Sequence, residues 1–257
     1  MQTLNLSICG SDRTHASFDE VVAVETPQKT DTWTPISHGF LIEQTKQKLD
    51  ENGFDIVNEN HNLARFGQRY FGLMQVQDRS APENPDRATV VGLRNGHDKC
   101  FPAGIMAGDA PFVCSNLQFN NEIVIARRHT KNIDNVNVAG NIFQKVANAI
   151  GQLRESWVSQ EKRVEAYKDY DLSSTSEAND LIIRAFQNGA CSKTQIADIV
   201  GQWNTPNHDE FKDRNLYSLY NSFSEVWKGN LGLLPNRSTQ LHALFDPVAE
   251  TPEVVEV

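Results

Sequence analysis

Two rhythms of apolar residues divide this chain. From Phe54 to Thr130 they come in short runs rich in branched and aromatic side chains, separated by glycine, proline and charged residues. Past Val136 they recur three and four positions apart, so that Ile142, Val146, Ile150, Leu153 and Trp157 fall on one face of a helix. The first rhythm predicts strands and the second helices.

The strand-like part opens with "FDIVN" at Phe54. "ARFGQRYFGLMQV" fits a hairpin or a bulged strand. As one regular strand it sets Arg65, Arg69 and Phe71 on one face and Phe66 and Tyr70 on the other. Arg65 and Arg69 are then about 13 Å apart, at ~3.3 Å per residue. "DRSAPENPD" is a loop, while "ATVVGLRN", "APFVCSNL" and "EIVIARRHT" read as further strands. Four to six strands are expected between Phe54 and Thr130. Ahead of them, "DTWTPISHGFLIEQTKQKLDENGF" reads as a helix capped by Thr34, with Pro35 at its first position and Gly53 as its stop. Ile36, Phe40 and Leu49 make its buried stripe. Residues 1–32 show no period.

The helix after Val136 is expected to run on toward Tyr170, about 50 Å at 1.5 Å per residue. Ser174 with Glu177, and Ser192 with Gln195, form capping boxes that open two more helices. "HDEFKDRNLYSLYNSFSEVWKGN" reads as a further helix closed by Gly229, and "STQLHALF" as a short one. The order of helix, strands and helices, without βαβ alternation, predicts an α+β fold. Its core is an antiparallel or mixed sheet with an N-terminal helix and a C-terminal helical region. Residues 1–135 form the helix-plus-sheet core, 136–245 a helical region packed on it in one cooperative domain, and 246–257 a disordered acidic tail.

Composition adds constraints. No apolar run approaches the ~18 residues of a membrane span. "MQTLNLSICGSDRTHASFDE" has no basic segment followed by an apolar one, so no signal peptide is read and a cytoplasmic location is expected. Cys9, Cys100, Cys114 and Cys191 form no CxxC pair, which predicts reduced thiols and no metal site. The net charge is −9, but the last twelve residues hold four acids and no bases, leaving 29 acids against 24 bases elsewhere. Between Arg87 and Lys131 six Lys and Arg face three acids, so the middle of the chain is locally positive.

The densest candidate chemistry is "GLRNGHDKCFPAGIMAGDAPFVCSN", Gly92 to Asn116. Asn95-Gly96 favours a tight turn with positive φ, and the later glycines mark a backbone that bends or approaches something closely. His97-Asp98 resembles the adjacent pair of metal-dependent phosphohydrolases, with His61 and His129 as candidate companions. Cys114 paired with His97 or His129 is a nucleophile reading. No GxxxxGK[ST], GxGxxG or GxSxG occurs. The stretch reads best as a turn-and-strand scaffold presenting Arg94 and Lys99, with no cofactor and no enzyme centre.

"RFGQRYFGLMQV", "VVGLRNGHDKCFPAGIMAG", "FVCSNLQFNNEI" and "RRHTKNI", in that order, resemble the blocks of a phage/plasmid-like family grouped as a domain of unknown function. The resemblance covers roughly Pro35 to Ile150, and Gly96 stands where that family usually has Ser. Such genes sit on mobile elements. The resemblance therefore implies a phage-encoded single-stranded-DNA-binding protein of the host cytoplasm. It would act in viral DNA replication, in recombination or annealing, or in transcription beside a phage RNA polymerase. Such binding uses a cationic track with aromatic platforms. Arg65, Arg69, Arg94, Lys99, Arg127, Arg128 and Lys131 can supply the track, and Phe66, Tyr70, Phe71 and Phe101 the platforms. The acidic tail would recruit a replication protein or the polymerase, and a homo-oligomer along the strand is expected. The alternative is a metal-dependent hydrolase built on His97-Asp98, or an inhibitor of a host protein.

If "EIVIARRHTK" runs out of the sheet, Arg127, Arg128 and Lys131 stand at its solvent end. Exchanging all three for Ala should leave the melting temperature nearly unchanged, because exposed changes usually stay within about ±0.5 kcal/mol each. The slope of log K against log salt for an oligo-dT should flatten by about two, at ~0.7 per lost phosphate contact. An unfolded triple variant would instead make these cations structural.

Overall fold

Among the described residues six strands line up in chain order as one antiparallel meander: β1 (Arg13–Ala16), β2 (Phe54–Ala64), β3 (Arg69–Asp78), β4 (Arg87–Gly96), β5 (Ala103–Pro111) and β6 (Gln118–Ala126). The computed structural model describes residues 2–4, 6, 13–84, 87–100, 102–111, 118–126, 138–172, 174–228 and 233–250. Between β1 and β2 lie α1 (Phe18–Val22) and α2 (His38–Glu51). After β6 come α3 (Val138–Gly151), α4 (Leu153–Asp169), α5 (Thr175–Gln187), α6 (Ile196–Asn204), α7 (Leu216–Trp227) and α8 (Leu234–Ala249). The class is α+β with an antiparallel sheet, as the order of patterns predicts. Among the described residues no helix is long and apolar enough to cross a membrane.

The sheet is covered on both faces. Alternate residues of the central strands, Tyr70, Met74, Val91, Leu93, Ile105 and Ala107, join Val21 of α1, Leu41 and Leu49 of α2, and Val146 and Ile150 of α3 in one cluster. Their neighbours Phe71, Leu73, Val90 and Met106 join Tyr167 of α4, Leu181 of α5, Trp203 of α6, Phe223 of α7 and Phe245 of α8 in the other. Strands buried on both faces read as apolar runs rather than as alternation. The helices after residue 136 do not form one layer. Val146, Ile150 and Leu153 face the side of α1 and α2, and the later helices cover the opposite face.

Several boundaries differ from the sequence expectation. α2 is capped by Ser37, whose hydroxyl accepts from the Phe40 amide at 3.4 Å, and not by Thr34. Ile36 therefore precedes the helix, and the buried stripe is Leu41, Ile42, Thr45 and Leu49. The stop holds, because Gly53 follows the C-cap with φ +81°. The long helix after Val136 is two helices, separated at Gln152. "FPAGIMAGDAP" is largely strand β5, paired with β4 on one side and β6 on the other. Ser17 and Glu20 form a capping box in the part that shows no period. Asp246 to Ala249, expected in the disordered tail, complete α8, and Arg163 of α4 holds Asp246 through two hydrogen bonds of 2.8 and 3.1 Å. Residues 251–257 lie outside the described residues.

Tyr70 is fully buried, and its hydroxyl bonds His61 Nδ1 at 2.9 Å across the β2–β3 pair. A Cβ on Gly72 would overlap that hydroxyl. Gly72→Ala should destabilise the protein by about 1–3 kcal/mol, the usual cost of overpacking. Denaturant titration would show it, and Tyr70→Phe added to the same chain should recover part of the loss. A neutral Gly72→Ala would mean that the tyrosine has another place to go.

Candidate nucleic-acid interface

In a meander alternate turns share one end of the sheet. The β2–β3 turn at 65–68 and the β4–β5 turn at 97–102 are together there, because Arg69 pairs with both Ala64 and Gly96. β6 finishes at the same end, with Ala126 opposite Ala103. Three of the predicted cations, Arg65, Arg69 and Lys99, are gathered at this end. Arg127, Arg128 and Lys131 follow β6 in the sequence but lie outside the described residues, as do Phe101, Cys114 and His129.

The β2–β3 turn is unusual. Arg65 (φ +53°), Phe66 (+56°) and Gly67 (+80°) are three successive left-handed residues. Two of them carry side chains that disfavour this conformation, and such residues persist only where the surroundings over-determine them. The surroundings here do so. Gln68 N donates to Arg65 O at 3.1 Å, and His97 N donates to Gln68 O at 2.7 Å. His38 Nε2 donates to Gly67 O at 3.0 Å. The result is a rigid tip on which Phe66 is fully exposed. Arg65 and Arg69 are therefore not two positions of one regular strand, since the turn lies between them.

Arg69 is only partly available. Its Nε donates to Asp98 Oδ2 at 2.5 Å and its Nη2 to Cys100 Sγ at 2.7 Å, while the Cys100 amide donates to Asp98 Oδ1 at 3.0 Å. A quarter of the side chain stays exposed. Lys99, left-handed at φ +60°, lies with Nζ 4.7 Å from the centre of the Trp33 ring. The positive φ thus falls at Lys99. Asn95 and Gly96, expected to form the turn, are still in β4. The reason is tertiary: the Asn95 amide is drawn inward, donating to Ile36 O at 2.7 Å and to His38 Nδ1 at 2.9 Å.

Other expectations fail on burial. Tyr70 and Phe71 are core residues and cannot stack on a ligand. Arg94 is 7% exposed, on the sheet between Phe71 and Gly104. Arg87, part of the locally positive window, is ion-paired with Asp109 inside the fold. Two of the cations counted in that window, Arg87 and Arg94, are therefore not on the surface. Each of these residues follows from having helices on both faces of the sheet, which local sequence does not announce.

The His97-Asp98 pair takes structural work. His97 Nε2 donates to Ile36 O at 2.8 Å, and its ring stacks on that of His38 at 3.9 Å and 7°. Asp98 serves Arg69 and Cys100. His61, its expected companion, bonds Tyr70. Among the described residues no group of three His, Cys, Asp or Glu is placed to hold a metal ion. Sequence reasoning missed His38, whose only signal was a histidine at the head of a helix among apolar residues.

Burial, then the neighbouring His97, pushes the His38 pKa down to about 4. Burial likewise lowers His97, and it lowers His242 to about 3. Unfolded histidines titrate near 6.5, so below that pH the unfolded chain binds more protons than the folded one. Stability should be full above about pH 6.5 and fall as the pH drops toward 4. His38 alone should cost about 2 kcal/mol between pH 6.5 and 5. Urea titrations at those two pH values should show the decline, and His38→Gln should reduce it. A pH-independent midpoint would mean that these rings are protonated in the fold.

Compared with family models, with curated proteins and with solved structures, the chain gives no match.

Proposed function

We propose that the chain binds single-stranded DNA at the end of the sheet formed by the β2–β3 and β4–β5 turns. One observation carries the reading: a rigid hairpin tip presents Phe66 fully exposed between Arg65 and Arg69. A soluble fold gains nothing from an aromatic ring held entirely in water, whereas an unpaired base stacks on such a ring at ~1–3 kcal/mol. Arg65, the exposed part of Arg69 and Lys99 supply cations for phosphates. Arg127, Arg128 and Lys131 are proposed to extend the track, since β6 ends beside these turns. Tyr70, Phe71 and Arg94 drop out of the proposed surface.

The resemblance of four sequence blocks to phage and plasmid proteins directs the choice toward DNA and toward replication, annealing or transcription. Assembly along the strand, and recruitment of a replication protein or a polymerase by the acidic tail, belong to the same proposal.

The test is fluorescence anisotropy with labelled oligo-dT over a series of salt concentrations. A track of four or five phosphates should give a slope of log K against log salt of about −3. Phe66→Ala should weaken binding by about tenfold, the value of one lost stack, without changing that slope. Arg65→Ala with Lys99→Ala should flatten it. No binding at low salt, or binding indifferent to Phe66, would remove the reading.

A further inference from the structure

Beside the exposed Phe66 lies a pocket of about 280 Å³. One wall is the segment after α1, with Val24, Glu25 and Pro27; the other is the hairpin tip, with Phe66, Gly67 and Gln68. His97 closes it from below. The two walls are held at a fixed distance. A Cβ on Gly67 would come within 3.2 Å of Val24 Cγ2, so the glycine brings the hairpin against this segment. The volume is just below the ~300–1,000 Å³ of sites for drug-sized molecules. It is large enough to take one flat heterocycle.

The polar groups around it are mostly acceptors. Glu25 offers a carboxylate. His97 donates through Nε2 to Ile36 O, which leaves Nδ1 as the bare acceptor of the neutral ring, and among the described residues nothing donates to it. Gln68 can donate or accept. Phe66 adds a ring at the rim. A base bound here has to bring donors. Guanine places two adjacent donors on one edge, N1–H and the exocyclic amine, and these match a carboxylate. Adenine, cytosine and thymine each interrupt their donor with a neighbouring acceptor.

We infer that this pocket takes a single unstacked guanine base, with Glu25 on its N1–H and amino edge and Phe66 against its face. The inference rests on the reading of this sheet end as a single-stranded-DNA surface and gives that surface one base-selective position. The rest of the strand is held through phosphates and carries no sequence information.

The experiment compares oligo-dT with the same oligonucleotide carrying one central dG, dA or dC. The dG oligonucleotide should bind about tenfold more tightly than the other three, within the range of one good two-point base contact. In Glu25→Gln the four should bind alike. Separately, amide NMR spectra of the intact chain are followed on addition of 2′-deoxyguanosine and of thymidine. Deoxyguanosine should shift the signals of Glu25, Gly67 and His97, and thymidine should not. Normal binding of oligo-dT with no preference for dG would overturn the pocket assignment and leave the DNA-binding reading standing. Failure to bind any oligonucleotide would overturn that reading, and the nucleoside spectra would then decide the pocket alone. Absence of shifts with deoxyguanosine overturns it.

Discussion

Covering an antiparallel sheet on both faces is the constraint from which the rest of this structure follows. Helices α1 to α3 and the start of α4 take one side, and the rest of α4 with the later helices the other, so side chains projecting from the middle of either face meet protein and not water. A buried polar group without a partner is costly. Cations and histidines on these strands are therefore neutralised, hydrogen-bonded or stacked where they stand. Exposed side chains collect at the end of the sheet where β2 turns into β3. The hairpin tip at Phe66 is that end.

The same constraint explains a polar chain that starts on β4 and β5 and runs into the C-terminal helices. Arg87 Nε donates to Asp109 Oδ2 at 2.6 Å and its guanidinium also meets the Tyr217 hydroxyl. Arg163 donates to Gln160 Oε1 at 3.0 Å and grips Asp246. Tyr167 donates to Asp246 at 2.5 Å and accepts from His242 Nδ1 at 3.1 Å. Tyr220 donates to His242 Nε2 at 3.3 Å, its ring stacked on the imidazole. In this arrangement His242 is neutral, with its proton on Nδ1. Buried ion pairs add little net stability, but removing one partner leaves an uncompensated charge and costs much more. The chain fixes how α4 and α8 meet more than it strengthens their meeting.

On the opposite face a smaller set of bonds couples fold to surface. Ile36 O accepts from both Asn95 and His97, and Gly67 O accepts from His38. The segment before α2 thus fastens the two turns to each other. The left-handed tip is held from beneath by groups far away in sequence. That rigidity matters to any ligand, because an ordered platform loses little freedom on binding.

The pattern of apolar residues by itself determined the class: strands in succession from β2 to β6, helices after residue 136, and caps at Ser174 and Ser192, each signalled within a few residues. It also marked the stretch from Gly92 onward as turn and strand, and named Arg65, Phe66, Arg69 and Lys99. Local sequence carries such information because periodicity, capping and turn preference act over short distances. What only the tertiary structure decided is which of those side chains face water. Tyr70 is buried because Gly72 leaves room for its hydroxyl, and Arg94 is buried on the sheet between Phe71 and Gly104. The Asn95-Gly96 turn moved to Lys99 because Ile36 and His38, more than fifty residues earlier, claim the Asn95 amide. Burial is a property of what packs from elsewhere in the chain, and an element's own sequence records it only indirectly.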